Sequence, residues 1–426
     1  MVVATLIFLL TYLLIGLQRL PRLHLGRPAG AMLGAVAMVL CGVLDFETAK
    51  RAIDLDTLLF LLGMMIVLAY LELSGFFEIL ERRIMGYARS PRWLLLLVMG
   101  SSSLLSALFM NDTICLLFTP VVVRVTKRLE LPTVPYLIGL AAAANIGSAC
   151  TIVGNPQNAL IAVRSGLGFL PFAARLWPVS LFGSAVAAGL LCWMYRRQIT
   201  GAPLVVPPPR EPQSPQRWML VSSLLAGLGM TVALACGVPP AAAAMSAAAA
   251  VVIAGATRPR TALQKVDWSL LLLFGGLFIV MRGVEQAGLA DEAVARVAGN
   301  LEGGDGRSLA RLGVAVTLLS QAVSNVPAVM FFVPTLEAMD GPGGPLGALA
   351  RALGVGGGGA RDLWLGLAAF STLAGNLTII GSVANVIVFE TARRDGVEVG
   401  FREYFRVGLP VTLATLVLAW LVLLRG

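Results

Sequence analysis

The chain has 426 residues, 58% of them hydrophobic and only 13% charged, with a mean hydropathy of +0.85 and a formal charge of +9. Soluble domains carry about 25% charged residues, so this composition excludes a water-soluble globular protein and describes a polytopic membrane protein. The positive charge comes without a basic–aromatic patch, which argues against a nucleic-acid partner and assigns the excess to cytoplasmic loops.

In chain order, apolar runs predict spans at 2–17, 29–44 and 56–73. The first lacks a basic n-region and a small-residue cleavage site, so it reads as a retained span. Phe76 to Arg89 mixes Phe76, Phe77, Ile79 and Ile84 with Glu78, Glu81, Arg82 and Arg83, the pattern of an amphipathic interfacial helix. The apolar stretch 93–126 is interrupted at Met110-Asn111-Asp112-Thr113, and each arm is short for a span with its own loop. It reads as a re-entrant hairpin. A broken helix follows at 133–163, with Gly147, Gly154 and Pro156 permitting irregular backbone. A span at 172–194 closes the first half, and the proline-rich segment Gly201 to Pro215 is an extended spacer. The second half repeats the series: spans at 218–236, 239–255 and 266–283, a short interfacial element over Asp291 to Asn300, and a hairpin at 308–340 with Ser324-Asn325-Val326-Pro327 at its middle. A broken helix at 361–390 and a span at 404–424 complete it.

Residue matches support the duplication. Asp54, Gly63, Val67, Glu72 and Gly75 recur as Asp267, Gly276, Val280, Glu285 and Gly288 at an offset of 213. Asn111 and Pro120 recur as Asn325 and Pro334 at an offset of 214, and Thr151, Gly154 and Asn158 as Thr378, Gly381 and Asn385 at 227. The last jump follows from the Gly/Pro-rich insert at 341–359. Five crossings per half make the second copy inverted. The expected fold is therefore an all-α polytopic membrane protein of two inverted repeats, 1–195 and 218–426, joined by a cytoplasmic linker at 196–217. It has about ten transmembrane helices, two re-entrant hairpins and two broken helices. The loops on the side reached after the first span, Arg27 included, hold 21 of the 32 basic residues. The positive-inside rule then places both termini outside an inner (cell) membrane.

The hairpin tips and helix breaks are expected to meet near the membrane midplane. Asn111, Thr113, Asn155, Asn158, Ser324, Asn325, Asn376, Thr378 and Asn385 are the candidate substrate-binding residues. Asp112, Gly147, Ser148, Thr151, Gly381 and Ser382 are candidates for a coupling ion or proton. A carboxylate at membrane depth costs about 2.5 kcal/mol or more and is a functional-site hypothesis by default, so Asp112 is the sharpest of them. It also suits capping of the second hairpin arm. Asp54, Asp56 and Asp267 read as helix caps, Glu72 and Glu285 as structural or interfacial, and Arg282 as a snorkelling cation. Cys41, Cys115, Cys150, Cys192 and Cys236 read as small buried hydrophobes, and the lone His24 lies in a loop. With no nucleophile–base pair, metal cluster or phosphate loop, neither an enzyme nor a cofactor is expected, beyond Na+ as a candidate coupling ion.

The pieces Ser74-Gly75-Phe76-Phe77-Glu78, Asn111-Asp112, Gly154-Asn155-Pro156-Gln157-Asn158, Ser324-Asn325-Val326-Pro327, Gly375-Asn376-Leu377-Thr378 and Gly381-Ser382 resemble the ion transporter superfamily. That group includes the arsenite-efflux permeases, the divalent anion:sodium symporters and related anion permeases. The resemblance implies a transport domain moving against a scaffold and a homodimer. The dicarboxylate symporters carry Ser-Asn-Thr at each tip. Here the first tip has a carboxylate, Asp112, and the second has Val326 in place of the threonine. Three readings follow: cation-coupled transport of a small anion or oxyacid, arsenite or antimonite efflux, and Na+/H+ antiport.

Overall fold

The computed structural model describes residues 1–16, 26–199, 203–204, 216–254, 259–288, 306–340 and 358–425. Most of the linker, the predicted element at Asp291 to Asn300, His24 and most of the 341–359 insert lie outside them. Every regular element among the described residues is a helix. The first half runs α1 (Val2–Gly16), α2 (Arg27–Leu40), α3 (Phe46–Ala52), α4 (Leu55–Leu73), α5 (Phe76–Tyr87), α6 (Pro91–Leu108), α7 (Asn111–Arg128), α8 (Thr133–Ser148), α9 (Pro156–Ser165) and α10 (Phe169–Met194). The second runs α11 (Arg217–Ala235), α12 (Pro240–Ala254), α13 (Pro259–Leu263), α14 (Trp268–Gln286), α15 (Gly306–Val323), α16 (Asn325–Asp340), α17 (Gly358–Ala374), α18 (Val383–Arg394) and α19 (Phe401–Leu424). Six of these are long and apolar enough to cross a membrane, and four more are shorter apolar helices.

Local chemistry sets the boundaries. Asp54 and Asp267 cap α4 and α14 through Thr57 N (3.0 Å) and Leu270 N (3.1 Å). Asp56 sits inside the first turn of α4, where it favours the positive end of the helix dipole rather than capping it. Ser90 caps α6 and Asn155 caps α9, each followed by proline at the first helical position. The predicted amphipathic helix forms as α5.

The two halves interlock. α2 packs on α14 and α12 packs on α4, so each repeat lends its second helix to the other's third span. Both crossings depend on glycine. A Cβ on Gly63 would lie 2.6 Å from the carbonyl carbon of Ala244, and one on Gly276 would lie 2.8 Å from that of Ala31. Gly63 and Gly276, like Ala31 and Ala244, are 213 residues apart. Such small-residue contacts let membrane helices approach backbone to backbone.

The hairpins point in opposite directions. The outer ends of α6 and α7 flank the start of α8, where Tyr136 OH donates to Pro91 O (3.0 Å) and the Thr126 and Thr133 hydroxyls pair at 2.9 Å. Their tip lies by the far part of α8, with Asn111 Nδ2 donating to Asn145 Oδ1 (3.2 Å). The second hairpin opens at the other face. Trp420 Nε1 near the end of α19 donates to Gly306 O at the start of α15 (2.8 Å), and Glu337 near the end of α16 meets Arg164 at 3.4 Å. Arg164 also bonds Asp54 at the start of α4 (3.0 Å), whereas Glu72 at the other end of α4 pairs with Lys265 (2.6 Å).

Candidate functional site

Each helix break is braced by its own asparagine. Asn158 Nδ2 donates to Ser148 O (3.1 Å) and Thr151 O (2.9 Å), across the seven residues between α8 and α9. Asn385 Nδ2 donates to Gly375 O (2.6 Å) and Thr378 O (3.0 Å), the same positions of the second repeat. The carbonyls left behind when each helix stops would otherwise be orphaned in a dry interior. Gly147 lies against the backbone of Ser103, and Gly381 against the amide of Gln321, so both are close-packing positions. Thr151 donates to Ala107 O (2.6 Å), and Thr378 donates to Gln321 Oε1 (2.8 Å), tying each break to its hairpin.

Two hubs then join the repeats crosswise. Asn145 in α8 donates to Asn376 Oδ1 (2.9 Å) and Asn385 Oδ1 (3.0 Å), and its own oxygen accepts from Ser382 Oγ (3.1 Å) and Asn111 Nδ2. Thr372 in α17 occupies the equivalent place. Its hydroxyl accepts from Asn155 Nδ2 (3.1 Å) and Gln157 Nε2 (3.3 Å) and faces Asn158 Oδ1 at 3.5 Å. The partners of Asn145 in the second repeat, Ser382 and Asn385, are the repeat equivalents of Asn155 and Asn158. All of these side chains are buried. Asn145, Gln157 and Thr372 are not among the site residues expected from sequence. The 227-residue offset that relates the breaks would have paired the two hubs.

The tips meet the same network. Asn111 N donates to Gly154 O (2.8 Å). Asn325, its amide oriented by its surroundings, donates to Gly381 O and Ser371 O at 2.9 Å each. Asp112 and Thr113 lie in the first turn of α7 and keep partial exposure. The N-cap of α7 is Met110, so Asp112 does not cap the arm. Among the described residues no side chain donates to its carboxylate; its backbone N–H bonds Asn111 Oδ1 (2.9 Å). At the second tip Ser324 has φ +74°, a left-handed backbone that a non-glycine residue adopts only under constraint. Asn376 is fully buried, and its Nδ2 has no acceptor.

The structure brings together Asn111, Asn155, Asn158, Asn376, Asn385 and Ser382, while Asn325, Thr378 and Gly381 join through the second tip. The candidates divide into two groups. Asn155, Asn158, Asn385, Ser148, Thr151, Thr378 and Ser382 have their polar groups engaged within the protein. Asp112, Thr113, Ser324 and the Asn376 nitrogen retain bonding capacity. One residue moves to the site from elsewhere: Arg27, counted above as a loop cation, begins α2 and places Nη1 3.4 Å from Ser324 Oγ. An arginine–proline pair opening a helix with no other charge was the available signal. Arg282 pairs with Glu285 (3.0 Å) at the rim of a cavity of about 390 Å³, which Arg51, Arg164 and Glu337 also line. Cys115 is buried, but Cys41 and Cys236 end α2 and α11 on the protein surface, because a helix C-cap there faces outward. Among the described residues no cluster of His, Cys, Asp or Glu could hold a metal.

The family described as citrate transporter (CitMHS) matches residues 12–356. The chain belongs to the citrate transporter family. That family lies within the ion transporter superfamily that its tip and break motifs resemble, and the protein is a membrane transporter. Among its relatives is the silicon efflux transporter LSI3 of Oryza sativa subsp. japonica, 30% identical over 92% of this chain and 91% of that one. A 46 kDa membrane protein of Mycobacterium leprae is 29% identical over 98% of this chain and 97% of that one. A transporter named arsB from Dictyostelium discoideum is 22% identical over 93% of this chain and 87% of that one. The solved YdaH transporter of Alcanivorax borkumensis shares the fold, with a TM-score of 0.56 at 16% identity, covering 99% of this chain and 97% of that one.

Proposed function

We propose that the protein is a secondary active transporter that moves a small anion or oxyacid by alternating access, coupled to H+ or Na+. The observation that carries this reading is the contrast at the tips. Asn155, Asn158 and Asn385 are committed to bracing the breaks, while Asp112 stands near them as a carboxylate without a side-chain donor among the described residues. Such a group is costly in a membrane interior unless it binds something. It would take up a proton or a cation, and the neighbouring hydroxyls and amides would hold the oxyacid. The second reading is efflux of a neutral oxyacid of the silicic or arsenous type, favoured by the names of the rice and Dictyostelium relatives. The charge bias of the loops supports termini outside and the linker in the cytoplasm.

Reconstitution tests these readings. Vesicles carrying the protein are loaded with citrate, phosphate, arsenite or silicic acid and given a Na+ or a pH gradient. Accumulation of one solute against its own gradient, driven by one of the two ions, supports the first reading. Loss of that accumulation in Asp112→Asn, with passive exchange retained, assigns coupling to Asp112. Flux of the neutral oxyacids alone favours the second reading. A Na+-driven proton flux with no solute present identifies an antiporter instead.

A further inference from the structure

Arg27 has three properties that a structural brace does not combine. It begins α2, which packs on α14, yet its guanidinium reaches the tip of the second hairpin, with Nη1 3.4 Å from Ser324 Oγ. Its Nη2 is buried and has no hydrogen-bond acceptor. Its charge and that of Asp112, at the opposite tip, act on each other, and Asp267, the cap of α14, also acts on Asp112, although the hydrogen bond that the guanidinium makes goes to Ser324. An unsatisfied guanidinium nitrogen out of contact with water is expensive. Five donors in a planar fork suit an oxyanion better than any other small ligand.

The repeats sharpen the point. Asn158 and Asn385, which brace the break carbonyls, and Thr151 and Thr378, which tie the breaks to the hairpins, occur in both halves. Arg27 and Asp112 do not: their repeat equivalents are Pro240 and Val326. A charged pair present in one copy alone, at the place where the two tips converge, is not required by the shared architecture.

We infer that Arg27 is the anion-recognising side chain of the transport site: it meets an acidic oxygen of a small, singly charged oxyacid seated between the hairpin tips, while Asp112 accepts a hydroxyl of the same molecule. The ligand class is a compact oxyacid with both an ionised oxygen and an OH group, of which dihydrogen phosphate is the simplest probe. This deepens the oxyacid reading above and rests on it. It adds that recognition crosses from the α2 side of the molecule to the hairpins, so ligand departure and movement of the second tip are linked through one residue.

The test uses the purified full-length protein in nanodiscs and follows binding by thermal shift. The probes are phosphate at mildly acidic pH, sulfate, citrate and silicic acid, applied to wild type, Arg27→Lys and Arg27→Gln. Wild type should respond to phosphate more strongly than to sulfate, which has no hydroxyl at that pH. Arg27→Gln should bind phosphate about 10- to 100-fold more weakly, the loss expected for a charge-assisted hydrogen bond, while Arg27→Lys falls between. Ligand-free melting temperatures of the variants report folding separately. Equal phosphate binding by wild type and Arg27→Gln overturns the role of Arg27 and leaves the transporter reading intact. A wild type that responds to silicic acid and to none of the anions overturns the anion contact and favours neutral-oxyacid efflux. A wild type that responds to none of the probes overturns both this proposal and the substrate class on which it rests.

Discussion

Replacing Asn145 with alanine tests whether the two repeats are joined by the crosswise hubs. The side chain makes four hydrogen bonds, to Asn376, Asn385, Ser382 and Asn111. Hydrogen bonds between membrane helices are worth about 0.6 kcal/mol each on average, which gives a floor of about 2 kcal/mol for the set. The substitution also strands an amide, a hydroxyl and two carbonyl oxygens in a buried site. Allowing for partial re-pairing, the expected loss is about 2–4 kcal/mol. Asn145→Asp keeps the acceptor for Ser382 and Asn111, removes both amide donors and adds a charge, and it should be at least as damaging. Equilibrium unfolding in mixed micelles measures these differences. Thr412→Val is the matched control, because the Thr412 hydroxyl is buried without a partner, and its removal should be neutral or stabilising. If Asn145→Ala stays within about 0.5 kcal/mol of wild type, the range of an ordinary surface substitution, the hub does not hold the repeats together.

Further expectations follow from other parts of the molecule. Gly63→Ala and Gly276→Ala each push a methyl into the backbone of the facing helix, at 2.6 and 2.8 Å, and each should cost about 1–3 kcal/mol by overpacking; unfolding midpoints unchanged in both would refute the interlocked crossing. Arg164→Gln breaks bonds to Asp54 and Glu337 that are partly exposed, so its stability cost should stay below about 1 kcal/mol, and urea or SDS titration measures it. At α3, the Thr48 hydroxyl and N–H hold the Asp45 carboxylate below the usual range. Its contribution is therefore present above the unfolded carboxylate pKa of about 3.9 and is lost as pH falls through the lower folded value; an NMR titration of Asp45 with its midpoint at or above the model-peptide value would refute this.

Much of the architecture was readable because it rests on features that leave local marks. Pro156 after Asn155 ends one helix and starts another, and the interrupted apolar runs around Asn111 and Asn325 mark the hairpin tips. The caps at Asp54 and Asp267 obey local rules. What could not be read is how the asparagines divide their labour. Asn158 and Asn376 are the same residue type in comparable breaks, yet one amide is spent on three carbonyls and the other keeps a free nitrogen. That difference depends on which backbone oxygens a turn presents, a tertiary fact. Arg27 was misplaced for a related reason. Loop charge is counted by position along the chain, but α2 begins beside the second hairpin tip, and only packing against another repeat reveals it.

Internal duplication offers a way to separate fold from chemistry within one chain. A repeated fold must satisfy the same backbone groups twice, so side chains that brace it recur: Asn158 with Asn385, Gly63 with Gly276, Asp54 with Asp267. A substrate, by contrast, is seated once and has no internal symmetry to match. Groups that contact it are therefore free to differ between halves, and charge is the difference that matters most in a medium of low dielectric. At the tips the shared residues are the asparagines, and the unshared ones are Asp112 opposite Val326 and Arg27 opposite Pro240. The neutral framework is common to both repeats, while Arg27 and Asp112 occur in the first alone; Asp267 of the second repeat, whose charge also reaches Asp112, is matched by Asp54 and caps α14. On this reasoning, moving the carboxylate to the other tip, as Asp112→Val with Val326→Asp, should preserve folding because each tip accepts the other's residue at an equivalent backbone position. It should abolish transport, because the relocated carboxylate would then stand on the Arg27 side of the ligand and close an ion pair where the anion must bind. Retained transport in that double variant would mean that the site is symmetric and that Arg27 is not its anion contact.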